Sequence, residues 1–70
     1  MNDFFISQHG FRNVVIGGIR LLTEFTAEEI IIKVKGATIT VQGDALEISC
    51  FDENEIIITA KTIREIRTEK

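Results

Sequence analysis

Seventy residues with a formal net charge of -3 and a pI near 5.0 make one small acidic domain. Cys50 is the single cysteine and His9 the single histidine, which excludes an internal disulfide, a cysteine metal cluster and the usual zinc, Ser-His and Cys-His sites. The acidic balance argues against a polyanion as main partner, and no apolar run approaches the roughly 20 residues a membrane helix needs.

The chain starts M-N-D-F-F, without the basic start and apolar core of a signal peptide, so the expected setting is the cytoplasm with no membrane insertion. A domain this short removes only about 60% of its unfolded surface from water. With disulfide and cysteine-held metal excluded, oligomerisation is the remaining support for a marginal core. Ile supplies 13 residues, and with Val and Thr the β-branched types make up about a third of the chain. These side chains suit a pleated surface. Pro is absent, so nothing interrupts a strand ladder.

Residues 1–10 read as an N-terminal arm or edge strand, with a strand expected over residues 5–8. Phe4 and Phe5 there are expected to pack on the domain or on a neighbour. Residues 11–70 read as a β-meander. Two extended runs flank Gly17-Gly18, which reads as a hairpin turn, since glycine reaches positive φ without strain. A phosphate loop at this pair lacks the following helix and the Lys and Ser/Thr of that motif.

Residues 25–35, F-T-A-E-E-I-I-I-K-V-K, recur 26 positions later as residues 51–61, F-D-E-N-E-I-I-I-T-A-K. Each copy is a strand end, a polar turn and a new strand. In the first, Ile30, Ile32 and Val34 share one face, and Ile31, Lys33 and Lys35 the other. Gly36-Ala37 turns the chain, Ile39 and Val41 point inward, and Gly43-Asp44 turns it again. Leu46, Ile48 and Cys50 are expected inside, with Ala45, Glu47 and Ser49 outside. Phe51 closes that strand, and Ile56, Ile58 and Ala60 repeat the inward set.

Ile31 and Ile57 therefore face outward at matching offsets, and with Phe4 and Phe5 they form the candidate partner-facing surface. Ile63 and Ile66, three apart, suit a helical turn or a strand with a bulge; a strand is expected over residues 63–67, fraying after Ile66. The fold class expected is all-β: an antiparallel meander of about six or seven strands, as a folded sheet or small barrel. Its inward set would be Ile, Leu, Val and Phe.

The residues assemble no nucleophile, base and orienter, so no catalytic residue, cofactor or small-molecule substrate is expected. Asp52-Glu53-Asn54-Glu55 lacks the spaced ligands and glycine of an EF-hand loop and reads as a solvated acidic turn. Cys50 reads as a small core residue and His9 as a loop residue. The competing function is a small nucleic-acid-binding barrel of Sm-like or OB type. Tyr and Trp are absent as stacking platforms, and Lys33, Lys35 and Lys61 would gather only if the two repeat strands paired.

An ordered set of elements runs through residues 16–66: Leu22 with Glu24-Phe25, Glu29-Ile30, Gly36, Ile39-x-Val41-x-Gly43, Leu46-x-Ile48, Ile56-x-Ile58 and a basic-apolar finish from Lys61 to Ile66. In this set the chain resembles the YabP/YqfC family of small sporulation proteins over about 50 of its residues. It departs at Ala60, where the family usually has Gly, and at Thr62, an extra residue. The resemblance implies a non-enzymatic protein of endospore formation in the mother cell or forespore, acting in forespore or spore-envelope morphogenesis through protein contacts and self-association. It brings no catalytic residue and no cofactor.

Overall fold

A computed structural model describes residues 4–70. All of the regular structure in them is strand: β1 (Phe5–His9), β2 (Asn13–Gly17), β3 (Ile19–Phe25), β4 (Glu29–Val34), β5 (Ala37–Asp44), β6 (Glu47–Phe51), β7 (Glu55–Thr59) and β8 (Thr62–Glu69). The fold is all-β, with eight strands where about six or seven were expected. They form two four-stranded antiparallel sheets, a front sheet in the order β1-β2-β7-β6 and a back sheet in the order β3-β4-β5-β8. Each sheet keeps two edges, so the architecture is an open sandwich and not a closed barrel.

The local pairings are those of a meander: hairpins β1–β2 and β6–β7, and the run β3–β4–β5. The other two are not. β2 pairs with β7 and β5 with β8, strands far apart in the chain. The expected hairpin at Gly17-Gly18 is corrected accordingly. Gly18 does adopt a positive φ of 84°, but the bend carries the chain from the front sheet to the back one. The amides of Gly18 and Ile19 donate to the Asn54 carbonyl at 2.8 and 3.0 Å, tying this crossing to the β6–β7 turn.

Gly43-Asp44 is likewise no turn; both residues belong to β5, and the bend falls at Ala45, whose φ is 55°. Gly43 is needed where it stands, because a Cβ there would run into the backbone carbonyl of Thr62.

The 26-residue repeat is structural as well. In the first hairpin Leu22, Glu24 and Phe25 face Ile32, Ile31 and Ile30; in the second Ile48, Cys50 and Phe51 face Ile58, Ile57 and Ile56. Each has a bulge at the same place, at Thr23 and at Ser49. The Thr23 and Ser49 hydroxyls donate to the carbonyls of Ile31 and Ile57, at 3.0 and 3.4 Å. Each hairpin then receives its third strand from the other half of the chain or from the following turn: Val14, Val15 and Ile16 stand against Ile58, Ile57 and Ile56 as Ile39, Thr40 and Val41 stand against Ile32, Ile31 and Ile30. The fourth strands match too. Ile6, Ser7 and Gln8 of β1 face Ile16, Val15 and Val14, as Ile66, Arg67 and Thr68 of β8 face Val41, Thr40 and Ile39. The sandwich is thus pseudo-two-fold, with β1 and β8 in equivalent places.

One core lies between the sheets: Val14, Ile16, Ile56, Ile58 and Leu46 from the front half, and Ile30, Ile32, Val34, Ile39, Val41 and Ile63 from the back half. The alternation expected on β4 and β7 is observed, since Ile30, Ile32, Ile56 and Ile58 are completely buried. Phenylalanine is absent from the fully buried set, which corrects the expected inward set; Phe4 is half-buried against the core, and Phe5, Phe11, Phe25 and Phe51 are exposed. Cys50 is exposed as well, contrary to its expected inward position. The extra residue at the Ser49 bulge shifts the two-residue period, so Ile48 still points in but Cys50 pairs beside Ile57 on the outer face.

A second bulge explains the Ile63/Ile66 spacing. Gln42 faces Glu65 and Gly43 faces Ile63, leaving Arg64 unpaired, so Ile63 and Ile66 return to one face of a strand that runs on to Glu69.

Candidate functional site

Among the described residues no group of three or more His, Cys, Asp and Glu side chains could hold a metal ion. The Asp52–Glu55 turn is a hairpin end in which the Asp52 amide donates to the Glu55 carbonyl at 2.8 Å and the Glu53 amide to the Asp52 carboxylate at 2.8 Å. Ser7 and His9 lie 3.1 Å apart, Oγ to Nε2, a contact that the sequence reading missed. It follows from the strand itself, where residues two apart share a face. Both side chains are exposed on a sheet edge, where a hydroxyl stays hydrated and gains no activation from burial.

Lys33 lies on β4 and Lys35 in the turn after it, in the back sheet, while Lys61 follows β7 of the front sheet. The two repeat strands do not pair, so the condition for a joint lysine patch is not met.

The large apolar side chains left exposed are Phe5, Phe11, Leu21, Phe25 and Phe51. Every one of them lies on an edge strand (β1, β3 or β6) or, for Phe11, in the loop that leaves β1. The inner strands β2, β4, β5 and β7 contribute none. Burial accounts for this pattern, because inner strands are covered by neighbours on both sides, whereas an edge covers its side chains on one side only.

The four proposed surface residues divide. Phe4 packs against the core, and Phe5 lies on the outer face of the front sheet with its ring over Gly17, where an added Cβ would come within 2.6 Å of it. Ile57 is half-buried in an outward row formed with Ser7, Val15 and Cys50. Ile31 is half-buried in the equivalent row of the back sheet, with Glu24, Thr40 and Arg67. Phe5 and Ile57 thus share the front face; Ile31 stands apart on the opposite one.

The four edges also differ in how they are guarded. β3 carries two register shifts and β6 one. β8 carries a bulge opposite Gln42/Gly43 and turns Glu65, Arg67 and Glu69 outward, with Arg67 3.8 Å from Glu65 and 3.9 Å from Glu69. β1, F-I-S-Q-H, pairs with β2 in an unbroken register and has neither bulge nor Asp, Glu, Lys or Arg. Charges and bulges are the ordinary means by which a sheet edge avoids accepting another strand. Comparison with protein-family models, with curated proteins and with solved structures gives no match for this chain.

Proposed function

We propose that this chain is a non-enzymatic assembly protein that acts through protein–protein contacts and self-association. The observation that carries the reading is the placement of Phe5, Phe11, Leu21, Phe25 and Phe51, all exposed and all at sheet edges or the loop leaving one. Apolar edges are where sheets join, because the backbone groups there have no partner and the side chains gain by being covered. Endospore formation is the process we assign, in the mother cell or forespore, with other sporulation proteins as further partners. That assignment rests on the resemblance of residues 16–66 to the YabP/YqfC family, above all Glu24-Phe25, Glu29-Ile30 and Ile39-x-Val41-x-Gly43.

Light scattering on the purified chain at micromolar concentration tests the assembly reading. The expected mass is that of a dimer or larger species; a stable monomer overturns it. The process is tested by the neighbouring open reading frames, which should encode sporulation proteins.

A further inference from the structure

We propose that β1 is the edge at which a second copy of this chain adds, antiparallel and about a two-fold axis, so that the two front sheets become one sheet of eight strands. This rests on the self-association reading and names its contact. β1 is the unguarded edge among the four, and its equivalent place in the back sheet shows what guarding looks like: where β8 turns Glu65, Arg67 and Glu69 outward, β1 turns out Phe5, Ser7 and His9. A copy carrying a net charge of -3 meets another copy of the same charge with least repulsion along a strand that holds no Asp or Glu. A two-fold axis across the edge makes the pairing antiparallel and satisfies both strands at once.

The aromatics select a second copy over a foreign strand. Phe5 opens β1, and Phe11, 71% exposed, lies just past its far end. The Phe11 carbonyl accepts from the Ile63 amide at 2.6 Å, which ties the loop backbone at this residue. Antiparallel pairing of β1 with itself brings the far end of one strand beside the beginning of the other. Phe11 of each copy then comes alongside Phe5 of its mate, and both rings are covered twice by one symmetry operation. Aromatic pairs of this kind add to the backbone bonds of a short strand, which alone make a small interface.

Cys50 provides the ruler. It is exposed on β6, the edge of the front sheet away from β1. Spin labels on the native Cys50 of two copies joined at β1 should lie about 34 Å apart, seven strand spacings of about 4.8 Å. A distribution centred elsewhere, including the short one given by β6 pairing or a Cys50–Cys50 disulfide, overturns the proposal. In a second arm, Phe11→Ser should weaken association at least about tenfold with an unchanged far-UV spectrum, since the ring is solvent-exposed in the single copy. Unaltered association overturns the proposal. An assembly with the wrong Cys50 separation, or one indifferent to Phe11, defeats this contact and leaves self-association standing; a monomer under all conditions defeats both.

Discussion

The outer row of the front sheet, Ser7, Val15, Ile57 and Cys50, occupies the same positions as Arg67, Thr40, Ile31 and Glu24 in the back sheet. Inside, the equivalent positions are alike: Ile32 with Ile58 and Ile30 with Ile56, all completely buried. Outside, both rows keep an isoleucine, Ile57 or Ile31, but its neighbours are Val15, Cys50 and Ser7 in one row and Thr40, Glu24 and Arg67 in the other. A repeat whose two halves share a core must keep its inward residues alike, because both sets pack into one close-fitting interior. Its outward residues answer to different neighbours and are free to diverge. The shared shape thus lies in the hairpins, and the two halves diverge on their backs and at their edges.

The comparison is most sharply broken in the core. Ile32→Ala and Ile58→Ala should each destabilise the fold by about 2–5 kcal/mol in denaturant titration, the usual cost of truncating a buried Ile. The two values should agree within about 1 kcal/mol, and a large disparity would show that the hairpins are equivalent in shape and not in energy. The outer rows should then separate. Ile57→Thr removes an apolar contact between Val15 and Cys50, whereas Ile31→Thr sets a hydroxyl between Thr40 and Glu24. Both keep a β-branched residue, so the first should cost about 1 kcal/mol and the second about half of that or less, in the range of cross-strand pairs.

A comparably small effect, of opposite sign, belongs to the crossings. The chain passes between the sheets three times, and two of these bends, at Gly18 and at Ala45, have positive φ. Ala45→Gly relieves a left-handed alanine but loosens the unfolded chain, so a net gain of about 0.5 kcal/mol is expected, read as a raised denaturation midpoint.

What was legible in the chain was whatever depends on neighbours in sequence. The Ile run of each repeat copy, flanked by a polar turn, marks both its strand and its inward face, and of the two forms that the spacing of Ile63 and Ile66 suits, a helical turn or a bulged strand, the bulged strand is the one present. Two kinds of feature were not legible. A bulge such as Ser49 reverses the two-residue period without leaving a mark in composition, which is why Cys50 reads as core and stands in water. Long-range pairing was the other. Gly17-Gly18 announces a bend, but only the union of β2 with β7 shows that the next strand belongs to the other sheet. For the same reason Ile31 and Ile57 could be seen to face outward, while the apolar company of one and the charged company of the other came from strands distant in the chain. The unguarded character of β1 is visible in its residues once the other three edges are known.

β8 takes the place in the back sheet that β1 takes in the front, yet it is supplied from the opposite end of the polypeptide. β1 needs only the neighbouring β2 to form its hairpin, whereas β5 keeps a bare flank until β8, distant in the chain, docks on it. Docking of β8 on β5 is thus the long-range step before which an unpaired strand flank is exposed.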